Sequence, residues 1–201
     1  MRRKTFDLLA TVTGLALAVI LLVAGGLLLW GHSFVNNEVH SQLAAQKIFF
    51  PPNGSKAIAA PEFAAMHQYA GQQMTTGAQA EVYADHFIAI HLKEIGGGQT
   101  YAQLSGKALT QPNNAKLAAQ VATMFKGETL RGLLLNAYAF GKMGELAGIA
   151  AIVAFAGAGV LLLLSGLGIA HERRVPAEAE IFARTLAPNG RTPMPTPAAT
   201  V

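Results

Sequence analysis

The chain has 201 residues, of which 52% are hydrophobic and only 13% are charged, and its formal net charge is +4. The charged share is about half that of an average soluble domain, which excludes a disordered chain and is unusual for a soluble one. The chain has no cysteine, which excludes disulfides and thiolate chemistry, and without a basic stripe interleaved with aromatic residues we expect no nucleic-acid partner.

The first long apolar run extends from Leu8 to Trp30 and contains no charged residue. At about 1.5 Å of rise per residue, a helix over this run can cross the roughly 30 Å hydrocarbon core of a bilayer. A cleaved signal peptide is the alternative, because Arg2, Arg3 and Lys4 precede the run. The run is longer than a signal peptide needs and ends without a small-residue cleavage site, so it predicts a retained transmembrane helix.

The second apolar run extends from Leu146 to Ala170, is also uncharged, and predicts a second transmembrane helix. Arg173 and Arg174 follow it closely, as the three basic residues precede the first run. Because basic residues concentrate in cytoplasmic segments, both termini are predicted to be cytoplasmic, with the chain in the plasma membrane.

The predicted fold is therefore an all-α membrane protein, in which two transmembrane helices form a hairpin with a helical extracytoplasmic domain between them. The predicted segments are a cytoplasmic N-terminus over 1–7, spans over 8–30 and 143–170, the extracytoplasmic domain over 31–142, and a Pro-rich, disordered cytoplasmic tail over 171–201.

Small residues recur four positions apart in both runs, a spacing that lets helix backbones approach closely. The two spans can use these faces to pair with each other or with a partner protein, although an alanine-rich composition alone produces the same pattern. The candidate helix-packing residues are Ala10, Gly14 and Ala18 in the first run and Gly144, Gly148, Ala150, Ala154 and Ala158 in or beside the second.

The segment between the runs reads as helical. The first span is expected to continue past Trp30 until the sequence FFPPNG stops it, because proline cannot continue a helix. Further helices are predicted in PEFAAMHQYAG, in TTGAQAEVYADHFIAIHLKEIGGG with Thr75 or Thr76 as its cap, and in AKLAAQVATMFKG after a loop at 111–114.

Two features of these helices bear on packing. In the helix that follows Thr76, the α-helical period places Tyr83, Phe87, Ile90 and Glu94 on one stripe. From about residue 128 an uninterrupted helix is expected to run into the second span. The outer segment is too short to form a large core alone, so it is expected to pack on the extensions of both spans.

The segment Phe49, Phe50, Pro51 and Pro52 has two interpretations. Its stiff, apolar character suits contact with a partner protein, which makes these four residues the candidate docking residues. The alternative is a helix stop whose aromatic side chains belong to the core.

The histidines supply the only candidate metal site. His86, His91 and Glu94 lie on one predicted helix, and two histidines with one carboxylate suit non-haem iron. His91 and Glu94 share a face, but His86 and His91 are five residues apart, which is an awkward spacing for one metal; His67 could approach from the preceding helix. The alternative is a polar face in water, and no metal or other cofactor is predicted.

Other catalytic signals are missing from the sequence. It contains no phosphate-binding loop, no GxSxG and no HExxH. Neither apolar run carries an ionisable residue, as ion-coupled transport usually requires. Glu145 lies at the outer edge of the second span, with Lys142 as its expected partner. The chain is therefore predicted not to be an enzyme.

Four segments resemble a family of small two-span membrane proteins from actinobacteria: RRKTFDLLATVTGLALAVILLVAGGLLLW, QLAAQKIFFPP, YAGQQMTTGAQAEVYADHFIAIHL and FKGETLRGLLLNAYAFGKMG. The resemblance covers most of residues 1–174 and implies an actinobacterial plasma membrane. Some members carry the label of aromatic ring-opening dioxygenase, which would need a metal site that only the histidine group offers here. Some members have a cysteine pair that this chain lacks, so no disulfide is implied.

The resemblance implies no reaction. Some small membrane proteins of this architecture are accessory subunits of the actinobacterial respiratory supercomplex. The first hypothesis is therefore a non-catalytic accessory or scaffold protein whose partners are the lipid bilayer and other integral membrane proteins. The alternatives are a metal-dependent membrane enzyme that uses His86, His91 and Glu94, and an envelope sensor whose outer domain binds a small molecule of unknown class.

Overall fold

The computed structural model describes residues 3–174, and the secondary structure of this range is helical apart from turns and one isolated antiparallel bridge between Phe49 and Gln73. The predicted tail beyond residue 174 lies outside the described residues. The α-helices are α1 (Arg3–Ala45), α2 (Gly77–Tyr83), α3 (Ala89–Ile95), α4 (Tyr101–Thr110) and α5 (Ala115–Glu172). Lys56–Ile58 and Pro61–Tyr69 are 3₁₀ helices, and Ala84–Ile88 is a π-helix.

Helices α1 and α5 contain 43 and 58 residues, and both are long and apolar enough to cross a membrane. Their most apolar windows are only 11% and 17% buried inside the protein. The core helix of a soluble protein would be mostly buried. Large apolar side chains therefore remain uncovered along both helices, which is expected of surfaces that face lipid or another protein.

Helix α5 is a single helix where the sequence predicted two. It begins at Ala115, directly after the predicted loop, and Asn114 Oδ1 accepts a hydrogen bond of 3.0 Å from the backbone N–H of Leu117. Gly127 does not interrupt it. An added Cβ at Gly127 would overlap the Leu92 side chain of α3, so this glycine serves close packing and not a helix stop.

Local capping signals set the outer helices. Of the two predicted caps, Thr75 and Thr76, it is Thr76 that caps α2, and it forms a capping box with Gln79. Thr100 forms the same box with Gln103 and begins α4, a helix that we did not predict although its Thr-x-x-Gln pattern is present in the sequence. The helix predicted in PEFAAMHQYAG is a 3₁₀ helix with Pro61 in its first turn.

The π-helix changes which residues between α2 and α3 face the core. Its wider turn shifts the positions that follow it around the helix, so a period of 3.6 residues does not describe this region. Of the predicted stripe, Glu94 is exposed, and Tyr83, Phe87 and Ile90 are only half-buried. The buried apolar positions here are instead Ala80, Val82, Ala84, Ile88 and Leu92.

The described chain divides into two compact units. The first combines the N-terminal part of α1, up to Val19, with the part of α5 from Ala158 onward. The second covers residues 20–157 and contains the hydrophobic core, to which α1 contributes Leu43 and α5 contributes Leu134. The outer segment therefore packs on both helix extensions, as predicted. The largest fully buried side chains of this core are Phe50, Ile58, Met66, Met74, Met124 and Leu134.

Candidate functional site

Glycines allow α1 and α5 to approach closely within each unit. In the first unit, a Cβ added to Gly14 would lie 2.5 Å from Ser165 Oγ. In the second unit, a Cβ added to Gly148 would lie 2.7 Å from His32 Nδ1. These separations are shorter than a van der Waals contact. A Cβ at Gly14 would therefore require the Ser165 hydroxyl to rotate away, and a Cβ at Gly148 would require the His32 ring to move.

The predicted helix-packing residues divide into two groups. Ala18, Gly144, Ala154 and Ala158 are buried, and Gly14 and Gly148 are half-buried. Ala10 and Ala150 are exposed, and the buried positions beside them are Thr11 and Ala151. Ala10 and Ala150 therefore do not contribute to the contact between α1 and α5, because strict four-residue steps drift around a helix of 3.6 residues per turn, whereas a face that stays against a partner averages about 3.5. Their pairing with a partner protein stays a prediction.

The FFPP segment is not one continuous contact surface. Phe50 is only 2% exposed, and its ring lies 5.3 Å from that of Tyr69 and 5.4 Å from that of Tyr83. It is a core residue, so its predicted docking role is wrong. Phe49 and Pro52 are exposed, and Pro51 is half-buried.

The histidine group does not converge. His91 Nδ1 lies 2.7 Å from the carbonyl oxygen of Phe87, and its ring packs 5.5 Å from that of Phe63. His86 and Glu94 are exposed. Among residues 3–174, no three histidine, aspartate or glutamate side chains come close enough together to hold a metal ion.

A polar cavity of about 510 Å³ lies between the outer part of α1, the start of α2 and α5. Its wall depends on a contact between backbones, since a Cβ added to Gly77 would lie 3.0 Å from the carbonyl oxygen of Ala137. The polar side chains that line it are His32, Asn36, Asn37, His40, Thr75, Thr76, Tyr138, Lys142 and Glu145. We call this the polar cavity.

An ion pair between Lys142 and Glu145 forms one side of the polar cavity, as predicted. Lys142 Nζ lies 2.6 Å from Glu145 Oε2, and the two side chains are 50% and 57% exposed. The hydrogen bond to Glu145 and its negative charge raise the pKa of Lys142 above its usual value of 10.5. The cavity therefore presents one ammonium and one carboxylate that solvent and ligands can reach.

His32 connects α1 to α5 on the other side of the polar cavity. Its Nδ1 lies 2.7 Å from the carbonyl oxygen of Gly144, and since a carbonyl only accepts, the histidine donates. The amide nitrogen of Asn36 lies close to both ring nitrogens, 3.2 Å from Nδ1 and 3.3 Å from Nε2. The bond to Gly144 therefore requires a proton on Nδ1, and it ties the His32 ring of α1 to the backbone of α5.

An apolar groove of about 390 Å³ runs along the same two helices. Three of its side chains are strongly exposed: Phe34 by 56%, Leu133 by 60% and Phe140 by 56%. Val39 lines both this groove and the polar cavity. The residues that line it are Phe34, Val35, Glu38, Val39, Gln42, Leu43, Gln46, Leu133, Ala137 and Phe140. We call this the apolar groove.

Sequence reasoning missed both cavities, although a partial signal was present. His32, Asn36 and His40 are four residues apart and therefore share one helix face. Lys142 and Glu145 share a face of the other long helix. Nothing local to either segment indicates that the two faces meet, because more than 90 residues separate them in the chain.

Comparison with known proteins gave no match at any level: no family model, no curated protein and no solved structure is significantly similar to this chain.

Proposed function

We propose that this chain is a non-catalytic accessory or scaffold protein that binds another integral membrane protein within a larger complex. In this proposal α1 and α5 form a transmembrane hairpin in the plasma membrane, both termini are cytoplasmic, and residues 31–142 are extracytoplasmic. The resemblance to actinobacterial two-span proteins makes respiratory subunits the first partners to look for.

The apolar groove carries the proposal. Leu43 lies 13 residues beyond Trp30 on α1, and Leu133 lies 13 residues before Leu146 on α5. At about 1.5 Å per residue, both are roughly 20 Å along the helices from the proposed hydrocarbon boundary. The groove thus extends away from the membrane with large apolar side chains exposed along it.

This extent favours a protein partner over lipid. The headgroup layer adds only about 5–7 Å on each side of the hydrocarbon core. Lipid can therefore cover Phe34, but not Phe140 or Leu133, which lie roughly 9 Å and 20 Å beyond the proposed boundary. Exposed apolar patches of this kind mark interaction sites in soluble segments. Several small residues of α1 and α5, among them Gly144 and Gly148, already lie against the other long helix, whereas the groove remains open.

The arrangement of polar residues gives the enzyme alternative little support. The candidate ligands His86 and Glu94 point to solvent, and His91 is held by the backbone of its own helix. Metal analysis of the purified full-length protein tests this alternative directly. We expect iron, zinc and copper each well below one ion per chain, and a stoichiometric metal that disappears in a His91→Gln variant would favour the enzyme.

The proposal is tested by affinity purification of the tagged full-length chain from its native membrane in mild detergent, with mass spectrometry of the proteins that co-purify. We expect one set of integral membrane proteins in constant ratio to the tagged chain. A Leu133→Glu variant should lose most of this set, because it places a charge in the apolar groove.

Leu109→Glu is the matched control, since Leu109 is 83% exposed on α4 and does not line the groove. It should retain the whole set. If the wild-type chain purifies alone, or if both variants lose the partners equally, the groove is not a partner-binding surface.

A further inference from the structure

The polar cavity has a lining that is both charged and balanced. It holds one ammonium, on Lys142, and one carboxylate, on Glu145, next to amide, imidazole, hydroxyl and phenol groups. An anionic ligand would meet Lys142 favourably but would be repelled by Glu145, and a cationic ligand would meet the opposite problem. A ligand that carries an anionic and a cationic group a few bonds apart can satisfy the two side chains together.

The Lys142–Glu145 pair can open at little cost. Both side chains are at least half exposed, and ion pairs in that setting contribute little to stability because water and salt screen them. On the opposite side, the His32 ring is held by its bond to the Gly144 carbonyl oxygen and by its contact with the Asn36 amide. The cavity therefore has a charged side that can rearrange and an opposite side on which the His32 ring is held in place.

The depth of the cavity identifies the source of such a ligand, and this step rests on the proposed function. His32 lies two residues beyond Trp30, and Lys142 and Glu145 lie four residues and one residue before Leu146. At about 1.5 Å per residue these three positions are roughly 2–6 Å beyond the proposed hydrocarbon boundary. They therefore lie within the headgroup layer, which adds about 5–7 Å on each side of the hydrocarbon core.

We propose that the polar cavity binds a zwitterionic phosphate–amine group, namely the headgroup of a phosphoethanolamine lipid. The phosphate oxygens accept hydrogen bonds from the Lys142 ammonium and from the amide of Asn36 or Asn37. The ammonium of the headgroup donates to the Glu145 carboxylate. The lipid tails then lie along the exposed apolar surface of the long helices.

The proposal is tested with the full-length protein in detergent micelles that contain equal amounts of phosphatidylethanolamine and phosphatidylglycerol, with bound lipid counted by native mass spectrometry. We expect the wild-type protein to retain phosphatidylethanolamine preferentially. Lys142→Met should lower that retention about fivefold, the change expected for one basic charge at a membrane surface. Glu145→Gln should remove the preference over phosphatidylglycerol.

The matched controls are Lys107→Met on α4 and Glu62→Gln on the 3₁₀ helix Pro61–Tyr69, which remove the same charges from exposed positions outside the cavity. Both should behave as wild type. Equal retention of the two lipids by the wild-type protein, or equal losses in the control variants, would overturn the proposal.

A soluble competitor distinguishes the lipid from a free compound. Glycerophosphoethanolamine carries the same headgroup without tails, and we expect it to displace the lipid only in large excess. Displacement at equimolar concentration would overturn the lipid assignment. This readout is independent of partner capture, so the membrane-scaffold proposal can fail while the chemistry of the cavity is upheld, or the reverse.

Discussion

The polar cavity and the apolar groove are formed by the same two helices and share Val39, yet their linings are opposite in character. The cavity carries an ion pair, two histidines and two asparagines. The groove is lined chiefly by leucine, valine and phenylalanine, with Glu38, Gln42 and Gln46 as its polar members. One pair of helices therefore offers a charged surface on one flank and an apolar surface on the other.

The difference arises from helix register. Gly144 lies against Val35 and Asn36, and Gly148 lies against His32, which fixes how α5 is rotated relative to α1 in this unit. With that rotation fixed, Lys142 and Glu145 line one flank and Leu133, Ala137 and Phe140 line the other. Close packing through glycine thus decides the chemistry of surfaces that the glycines do not themselves form.

The largest loss of stability is expected from a substitution at Gly77, which lines the polar cavity but not the apolar groove. Its added Cβ would meet backbone atoms, the Ala137 carbonyl oxygen at 3.0 Å and the Tyr138 Cα at 3.1 Å, and these have little freedom to move. Gly77→Val should lower the free energy of unfolding by about 1–3 kcal/mol, as overpacking of a well-packed contact does. Thermal unfolding in mild detergent measures this.

Gly106→Ala on α4 is the control for that change. An added Cβ meets nothing within 4 Å there, so relief of glycine's backbone entropy should stabilise the protein by about 0.5–1 kcal/mol. If Gly77→Val proved as harmless as Gly106→Ala, the wall of the polar cavity would not depend on the close approach of α2 and α5.

The next largest effects are expected when partner capture and lipid retention are both measured for a variant of each surface. Leu133→Glu should abolish partner capture but leave lipid retention within about twofold of wild type, because it does not line the polar cavity. Lys142→Met should do the reverse. A variant that lost both functions while keeping its melting temperature would show that the two surfaces act as one site.

Salt should weaken lipid retention but not partner capture. Raising ionic strength from about 0.1 M to about 1 M shortens the Debye length from roughly 10 Å to 3 Å, which weakens contacts with the exposed Lys142–Glu145 pair. Apolar contact in the groove should persist, and it should strengthen in sulfate. Lipid retention and partner capture measured at both salt concentrations provide the test, and a parallel decline of the two would contradict it.

The smallest effect is expected in the stability of the protein at alkaline pH, to which the Tyr83 phenol contributes. Burial raises the pKa of the Tyr83 phenol above its usual value of 10.0, so the unfolded chain releases this proton before the folded chain does. Stability is therefore complete below about pH 10 and falls as pH rises towards the folded pKa. Tyr83→Phe should show a smaller loss of melting temperature between about pH 8 and about pH 11.

The alkaline loss that comes from Lys142 has the same sign, since its pKa is also raised in the folded protein. It is present in both proteins and cancels in the difference between them. An identical pH dependence of wild type and Tyr83→Phe would mean that the phenol is not desolvated as its packing against Phe50 indicates.

Local patterns in the sequence were sufficient to predict most of the secondary structure. Uncharged runs predicted the two long apolar helices, the loop at 111–114 lies where it was predicted, and Thr76 caps its helix. These features depend on a few neighbouring residues, so a single sequence can reveal them. The capping box at Thr100 was readable in the same way, and α4 was missed only because that pattern was not used.

Only the tertiary structure decided which face of each helix is buried and where the polar cavity and the apolar groove form. The π-helix at Ala84–Ile88 changed the buried stripe, and the docking of α1 against α5 selected Thr11 and Ala151 over the neighbouring alanines. Packing with Tyr69 and Tyr83 buries Phe50, whose position in the sequence suited the surface equally well. Both cavities are lined by residues of α1 and of α5, which lie far apart in the chain. Rules of residue spacing describe the faces of one helix and cannot indicate which faces of two helices meet. How two helices are rotated against each other follows from the packing of all their side chains together.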